Sequence, residues 1–288
     1  MRLTFVAAHL LCLTLAALDV GARGWRYVLL LRGLKAPLGL RAGLVLTIFG
    51  DAVAGITPMR LGGEPARILG ARHDGVPISR AVTALALENV LTYAILIPAG
   101  AIIGARYGSD WWHTIAPRVD ARLVRWLVLA IIVIGLLLAF LVWRLHTRAR
   151  RVQAEPPREG FRELIRDLLS FPPRLLLLCL ASSAVSLVAR VGILPVLELT
   201  APHPPSLGAA TVASLGLLYG QLVVPTPSGA GPIDVAVLSG ASGVTTGAGR
   251  LLAAWRIYTT IVPITVGLIA GFVAYGRSVL SLLPRAWR

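Results

Sequence analysis

Apolar residues come in long runs, and those at 3–20, 81–105, 124–143, 175–199 and 251–276 each approach the roughly 20 residues that cross about 30 Å of hydrocarbon. Five full helical spans are therefore expected. Two further apolar stretches are interrupted, 42–57 by Gly43, Gly50, Asp51 and Gly55, and 207–246 by several glycines and prolines. Irregular backbone at membrane depth survives only where protein or a wet cavity surrounds it, so both stretches are expected to enter the membrane and turn back. The predicted fold is all-α: a polytopic transmembrane helical bundle with about five full spans and two inverted re-entrant helical hairpins. Six or seven full spans is the alternative.

Charge placement carries this topology. The segment 144–174 holds eight arginines against four acids and is expected to be a cytoplasmic linker between a first repeat half, 1–143, and a second, 175–288, of one integral membrane domain. Phe161, Leu164, Ile165, Leu168 and Leu169 fit either a short amphipathic surface helix or a solvated linker. The segment 22–41, with Arg23, Arg26, Arg32, Lys35 and Arg41, also reads as a cytoplasmic loop, as does 57–80. Both stay on one side only if 42–57 does not cross.

Composition agrees. Of 288 residues 56% are hydrophobic and 14% charged, with mean hydropathy +0.77, a surplus that must face lipid. The net charge of +15 would suggest nucleic acid in a soluble chain, but here the arginines flank apolar runs, where the positive-inside bias and anionic headgroups explain them. No nucleic-acid partner is expected. Cys12 and Cys179 lie inside apolar stretches and read as buried thiols. The run at the N-terminus lacks a small-residue cleavage site after it and reads as a retained helix.

The segments from Pro58 to Pro65 and from Pro225 to Pro232 share the spacing Pro-x3-Gly-x2-Pro, each shared position 167 residues from its counterpart. Three predicted spans separate them, and an odd number inverts the second copy, as in transporters whose broken helices meet at the midplane. In the first hairpin Gly62 and Gly63 would turn the chain with free N–H groups, ahead of a helix opened by Pro65. With Arg60 and Arg67 that helix start could hold a phosphate, Glu64 accepting from an arginine when the site is empty. The second hairpin offers Pro225, Pro227, Gly229, Gly231 and Asp234, the acid serving either as a cap or as partner to an arginine of the other repeat.

Charges inside predicted spans cost on the order of 2.5–3.5 kcal/mol each unless paired or wet. Glu88, Arg190 and Arg256 are such residues, and Glu88 with Arg256 is the expected pair between repeats. Histidines are scattered, and no metal-ligand spacing, nucleophile motif or phosphate-cradling GxxxxGK[ST] is present. Neither a cofactor nor catalysis is expected, and any transport would be facilitative or coupled to an ion gradient.

At these residues the chain resembles the flippase-like family, also called the lysylphosphatidylglycerol synthase transmembrane region, the membrane half of the multiple peptide resistance factor. The resemblance lies in GWRYVLLLRG from Gly24 to Gly33, ITPMRLGGEPAR from Ile56 to Arg67, the continuation from Gly75 to Glu88, VPTPSGAG from Val224 to Gly231, and WRIY from Trp255 to Tyr258. It implies a bacterial multi-pass inner-membrane protein that binds or translocates an anionic lipid, either a phospholipid or a polyprenyl-phosphate-linked one, and it adds Tyr258 to the candidate site. A lipid- or glycan-modifying enzyme is a possible partner. Non-transporting membership of a cell-envelope complex, or less readily a headgroup enzyme within the membrane, are the alternatives. The chain departs from the family pattern at Glu88-Asn89 with Thr92, where Glu-Arg and an acid two residues later are usual, and it starts where members often have a further helix before the Trp-Arg motif, so a shortened N-terminus is expected. With no aminoacyl-transferase domain after Arg288, lysyl transfer is not expected of this chain.

Overall fold

The computed structural model describes residues 4–115, 166, 171–201, 206–222, 224, 226–231, 233–235 and 248–282. It forms two compact units. The first is Met1–Trp111 with Phe171–Arg288, and the second is Trp112–Ser170. Nearly all of the second lies outside the described residues, including the expected span 124–143 and most of the linker 144–174, whose last residues instead open a helix at Pro173. All that follows concerns the first unit.

Helix α1 (Phe5–Gly33) starts where the Thr4 hydroxyl accepts the Ala7 N–H at 3.3 Å. α2 (Leu40–Ile56) ends as Thr57 becomes extended ahead of Pro58, whose ring disfavours helical geometry at the preceding residue. After a six-residue turn comes α3 (Gly63–His73), then the long α4 (Ile78–Ile115). α5 (Pro173–Glu198) opens on proline, which lacks an N–H that the first turn does not need, and α6 (Leu207–Gly220) opens on Ser206, which accepts the Ala209 N–H at 3.2 Å. α7 (Ala248–Arg256) continues through a π-helical turn (Ile257–Ile261) into α8 (Val262–Leu282). Pro263 has no N–H for the ordinary ladder, and the chain widens just before it, the Val262 N–H reaching Ile257.

Among the described residues four helices are long and apolar enough to cross a membrane: Phe5–Gly33, Ile78–Tyr107, Pro173–Glu198 and Gly249–Gly276. They match four of the five expected spans. Their outer faces are apolar, Val188, Phe272 and Val273 being about 70% exposed, as lipid-facing side chains are. α3, with 11 residues, is only about 16 Å long and too short to cross.

Packing pairs α1 with α5, α2 with α8 and α3, and α5 with α6. Small residues let backbones approach: a Cβ at Gly63 would stand 2.9 Å from the Gly50 carbonyl oxygen, and one at Gly43 3.1 Å from that of Gly24. A core of Cys12, Ile193, Leu197, Leu217, Ile233, Leu252 and Trp255 ties α1 and α5 to α6 and α7.

One expectation is overturned. The stretch 22–41 is not a loop from its start, because α1 runs on to Gly33 and carries Arg23 and Arg26 into the bundle. Buried carboxylates neutralise them there, so they do not act as interfacial charges.

Candidate functional site

The turns after α2 and after α6 have one backbone design. Arg60 N–H donates to Thr57 carbonyl at 3.2 Å and Gly229 to Thr226 at 3.0 Å; Leu61 donates to Pro58 at 3.2 Å and Ala230 to Pro227 at 3.0 Å; Ala66 donates to Gly62 at 3.2 Å and Val235 to Gly231 at 2.8 Å. Met59 and Arg60 (φ 50° and 60°) answer to Ser228 and Gly229 (φ 50° and 64°) in the left-handed region. Matching positions are 169 residues apart, and the shared sequence is Thr-Pro-x3-Gly, from Thr57 to Gly62 and from Thr226 to Gly231. The two turns therefore correspond at a spacing of 169 residues and not the expected 167, which matched Pro58 and Pro65 to Pro225 and Pro232; the latter two lie outside the described residues. The turns meet, Pro58 facing Pro227 in an antiparallel bridge and the Ser228 hydroxyl donating to the Gly55 carbonyl at 2.9 Å.

The first turn does not offer the open cradle that was expected. Gly62 has ordinary helical angles and is needed for space, since a Cβ there would stand 2.7 Å from the Thr57 methyl. Its N–H donates to Thr57 Oγ1 at 3.0 Å, and that of Gly63 donates to the Arg60 carbonyl. Glu64 is exposed and accepts from Asn89 at 2.8 Å, and no arginine contact to it is present among the described residues.

Arg60 and Arg67 part company. Arg67 joins a closed cluster in which Glu88 Oε2 accepts from it and Oε1 from Arg26, both at 2.7 Å. Arg26 also donates to Ser183 at 2.7 Å, and the Arg67 guanidinium lies 4.3 Å from the centre of the Tyr27 ring. The expected Glu88–Arg256 pair is therefore not made. Arg256 instead donates to Asp234 at 2.7 Å and to the Ser228 carbonyl at 2.6 Å, while Asp234 also accepts the Gly231 N–H at 3.1 Å. Asp234 is thus a local cap and a partner, but to an arginine 22 residues along the chain.

Arg60 turns the other way, toward a cavity of about 590 Å³ between α1, α2, α5, α6 and the π-helical turn. Its charged end is a lattice. Asp19 accepts from Arg23 at 2.9 Å, from Arg190 at 3.0 Å and from Ser186; Arg23 also donates to Asp51 at 2.6 Å. Arg60 is held loosely, 3.8 Å from Asp51 and 3.4 Å from the Gln221 amide oxygen. Three guanidiniums face two carboxylates, leaving one positive charge in excess. The remaining wall is apolar: Leu13, Ala17, Leu44, Ile48, Ile193, Leu218, Val262 and Val266. Tyr258 lines it as well, its hydroxyl 2.6 Å from His9 Nδ1.

Of the residues singled out from sequence, Arg60, Arg190 and Tyr258 line the cavity, while Gly62, Gly63, Glu64, Arg67, Glu88, Pro227, Gly229, Gly231, Asp234 and Arg256 stand outside its lining. Asp19, Arg23, Asp51, Tyr219 and Gln221 line it and were missed. The signal for the first pair was available: Asp19, inside the apolar run 3–20, and Arg23, just past its end, are four apart, the spacing of neighbours on one helix face. No group of His, Cys, Asp and Glu that could hold a metal occurs among the described residues.

Residues 1–267 match the family described as lysylphosphatidylglycerol synthase TM region. No curated protein matches the chain.

Proposed function

The chain belongs to the lysylphosphatidylglycerol synthase transmembrane-region family, and from that premise we propose that it binds an anionic lipid in the charged cavity and carries its headgroup across a bacterial cytoplasmic membrane. The observation that carries this reading is the pairing of an apolar wall with a charged end one cation in excess, where Arg60 has only long contacts. A phosphate entering there neutralises the excess. It exchanges a 3.8 Å ion pair for short charge-assisted hydrogen bonds, each worth about 1.5–3 kcal/mol. Asp51 and Asp19 keep the empty site from standing as three bare cations, and Arg23, gripped by both, stays a fixed part of the wall.

Under this proposal the two turns are the tips of inverted re-entrant hairpins that meet within the membrane and separate its two sides. Their common hydrogen-bond design and the Pro58–Pro227 contact support the reading. No covalent step is assigned to the chain; any headgroup chemistry falls to a partner enzyme. A second reading, a lipid-binding subunit that does not transport, keeps the same cavity.

Mass spectrometry of lipids that copurify with the protein tests the binding step. Retention of a phosphate-bearing lipid by the parent, and its loss from Arg60→Gln with the fold intact, is expected. Equal retention by both would overturn the assignment.

A further inference from the structure

A second concavity, a groove of about 400 Å³, runs along α4 and α6 past Leu96, Ile97, Gly100, Gly104, Val212 and Gly216. The three glycines open it, since a Cβ at any of them would meet nothing within 4 Å. The groove is apolar apart from one residue, Tyr219, and Tyr219 also lines the charged cavity. One side chain therefore forms part of the wall of both. Along α6 the groove leads from Tyr219 toward Gly208, where the Tyr107 ring lies so close that no Cβ would fit. Beside it α4 has no buried residue from 92 to 107, and no described side chain fills the groove.

Resting on the reading of the cavity as a headgroup site, we propose that this groove seats a hydrocarbon chain of the same anionic lipid, with Gly100, Gly104 and Gly216 setting which chains fit. The occupant follows from the continuity: an amphiphile whose charged head lies among Arg60, Arg190 and Asp51 must lead its tail away along an apolar surface, and this groove begins at the cavity wall. Its volume is that of about thirteen methylenes, taking each as comparable with the ~30 Å³ share of a water. A transmembrane helix, the usual partner of a Gly-x3-Gly face, would run past both ends. The lining of this groove ends short of Gly208, where the Tyr107 ring packs between the helices, and at the other end it shares Tyr219 with the charged cavity.

Butyl, dodecyl and farnesyl phosphate, titrated into the full chain in nanodiscs, separate the possibilities. With binding to empty nanodiscs of the same lipid subtracted, the parent is expected to bind dodecyl at least about tenfold more tightly than butyl phosphate, a small part of the roughly fourfold that each buried methylene could add. That ratio should collapse below about twofold in Gly216→Leu and, on the opposite wall, in Gly100→Leu. Both variants replace glycine in a helix by a stronger helix former with open space around its Cβ, so their melting temperatures should match the parent. If farnesyl phosphate gains while dodecyl does not, the chain is isoprenoid and the groove assignment stands. An undiminished dodecyl-to-butyl ratio in both variants overturns the groove while leaving the headgroup site in place. A concentration-dependent dimer that both variants abolish, without any chain-length effect, overturns it in favour of a helix. Failure of the parent to bind any of the three phosphates removes the headgroup reading and the groove with it.

Discussion

Asp19 on α1 holds two arginines at once, Arg23 one turn along the same helix at 2.9 Å and Arg190 of α5 at 3.0 Å. The carboxylate is therefore a cross-link between the two most extensively packed helices as well as part of the cavity. Replacing Asp19 by Asn should cost about 3–5 kcal/mol, because two guanidiniums lose a charged acceptor in a poorly solvated place. Thermal unfolding of the purified protein measures it, and a loss below about 1 kcal/mol would show that the lattice is solvated like a surface pair.

Arg67 yields the second prediction. It donates through one guanidinium nitrogen to Glu88 and stacks its plane on Tyr27, a contact that a lysine ammonium reproduces poorly. Arg67→Lys should lower stability by about 1–3 kcal/mol and leave headgroup selectivity as in the parent. Changed selectivity with parental stability would place Arg67 in the binding site instead.

These clusters mark how far the sequence could be read. Long apolar runs need only a window count, and four of the five expected spans are helices. Arg23 and Arg26 were misplaced because a charge rule treats every arginine beside an apolar run as interfacial, whereas partners 28 and 62 residues away bury them. The likeness of the two turns was visible but two residues out of register: proline and glycine are frequent in both, and only the hydrogen bonds decide which prolines correspond. The Glu88–Arg256 pairing failed because depth along a span says nothing of the face on which a side chain emerges.

The contact between the turns can be trapped. Facing residues of an antiparallel bridge have Cα atoms about 4.5–5.5 Å apart, within the range a disulfide accepts. Pro58→Cys with Pro227→Cys, in a background with Cys12 and Cys179 replaced by alanine, should oxidise to an intramolecular disulfide. No cross-link under conditions that oxidise a control pair would contradict the observed meeting of the turns.

Leu61 tests membrane placement. It is 65% exposed on the first turn, so the protein itself does not shield it. A cysteine there should label poorly with an impermeant thiol reagent in membranes and readily once the protein is in detergent without added lipid. Ready labelling from one side of intact membranes would remove the re-entrant reading of this hairpin.

The central claim is that Arg60 engages the lipid phosphate. The direct measurement is translocation of a fluorescent anionic lipid in proteoliposomes, with membrane insertion and melting temperature followed in parallel for the parent, Arg60→Lys and Arg60→Gln. Loss of the planar fork should slow Arg60→Lys by about 5- to 150-fold, the equivalent of roughly 1–3 kcal/mol, and Arg60→Gln should be slower still, both with parental insertion and stability. Translocation by Arg60→Gln at the parental rate would contradict the account.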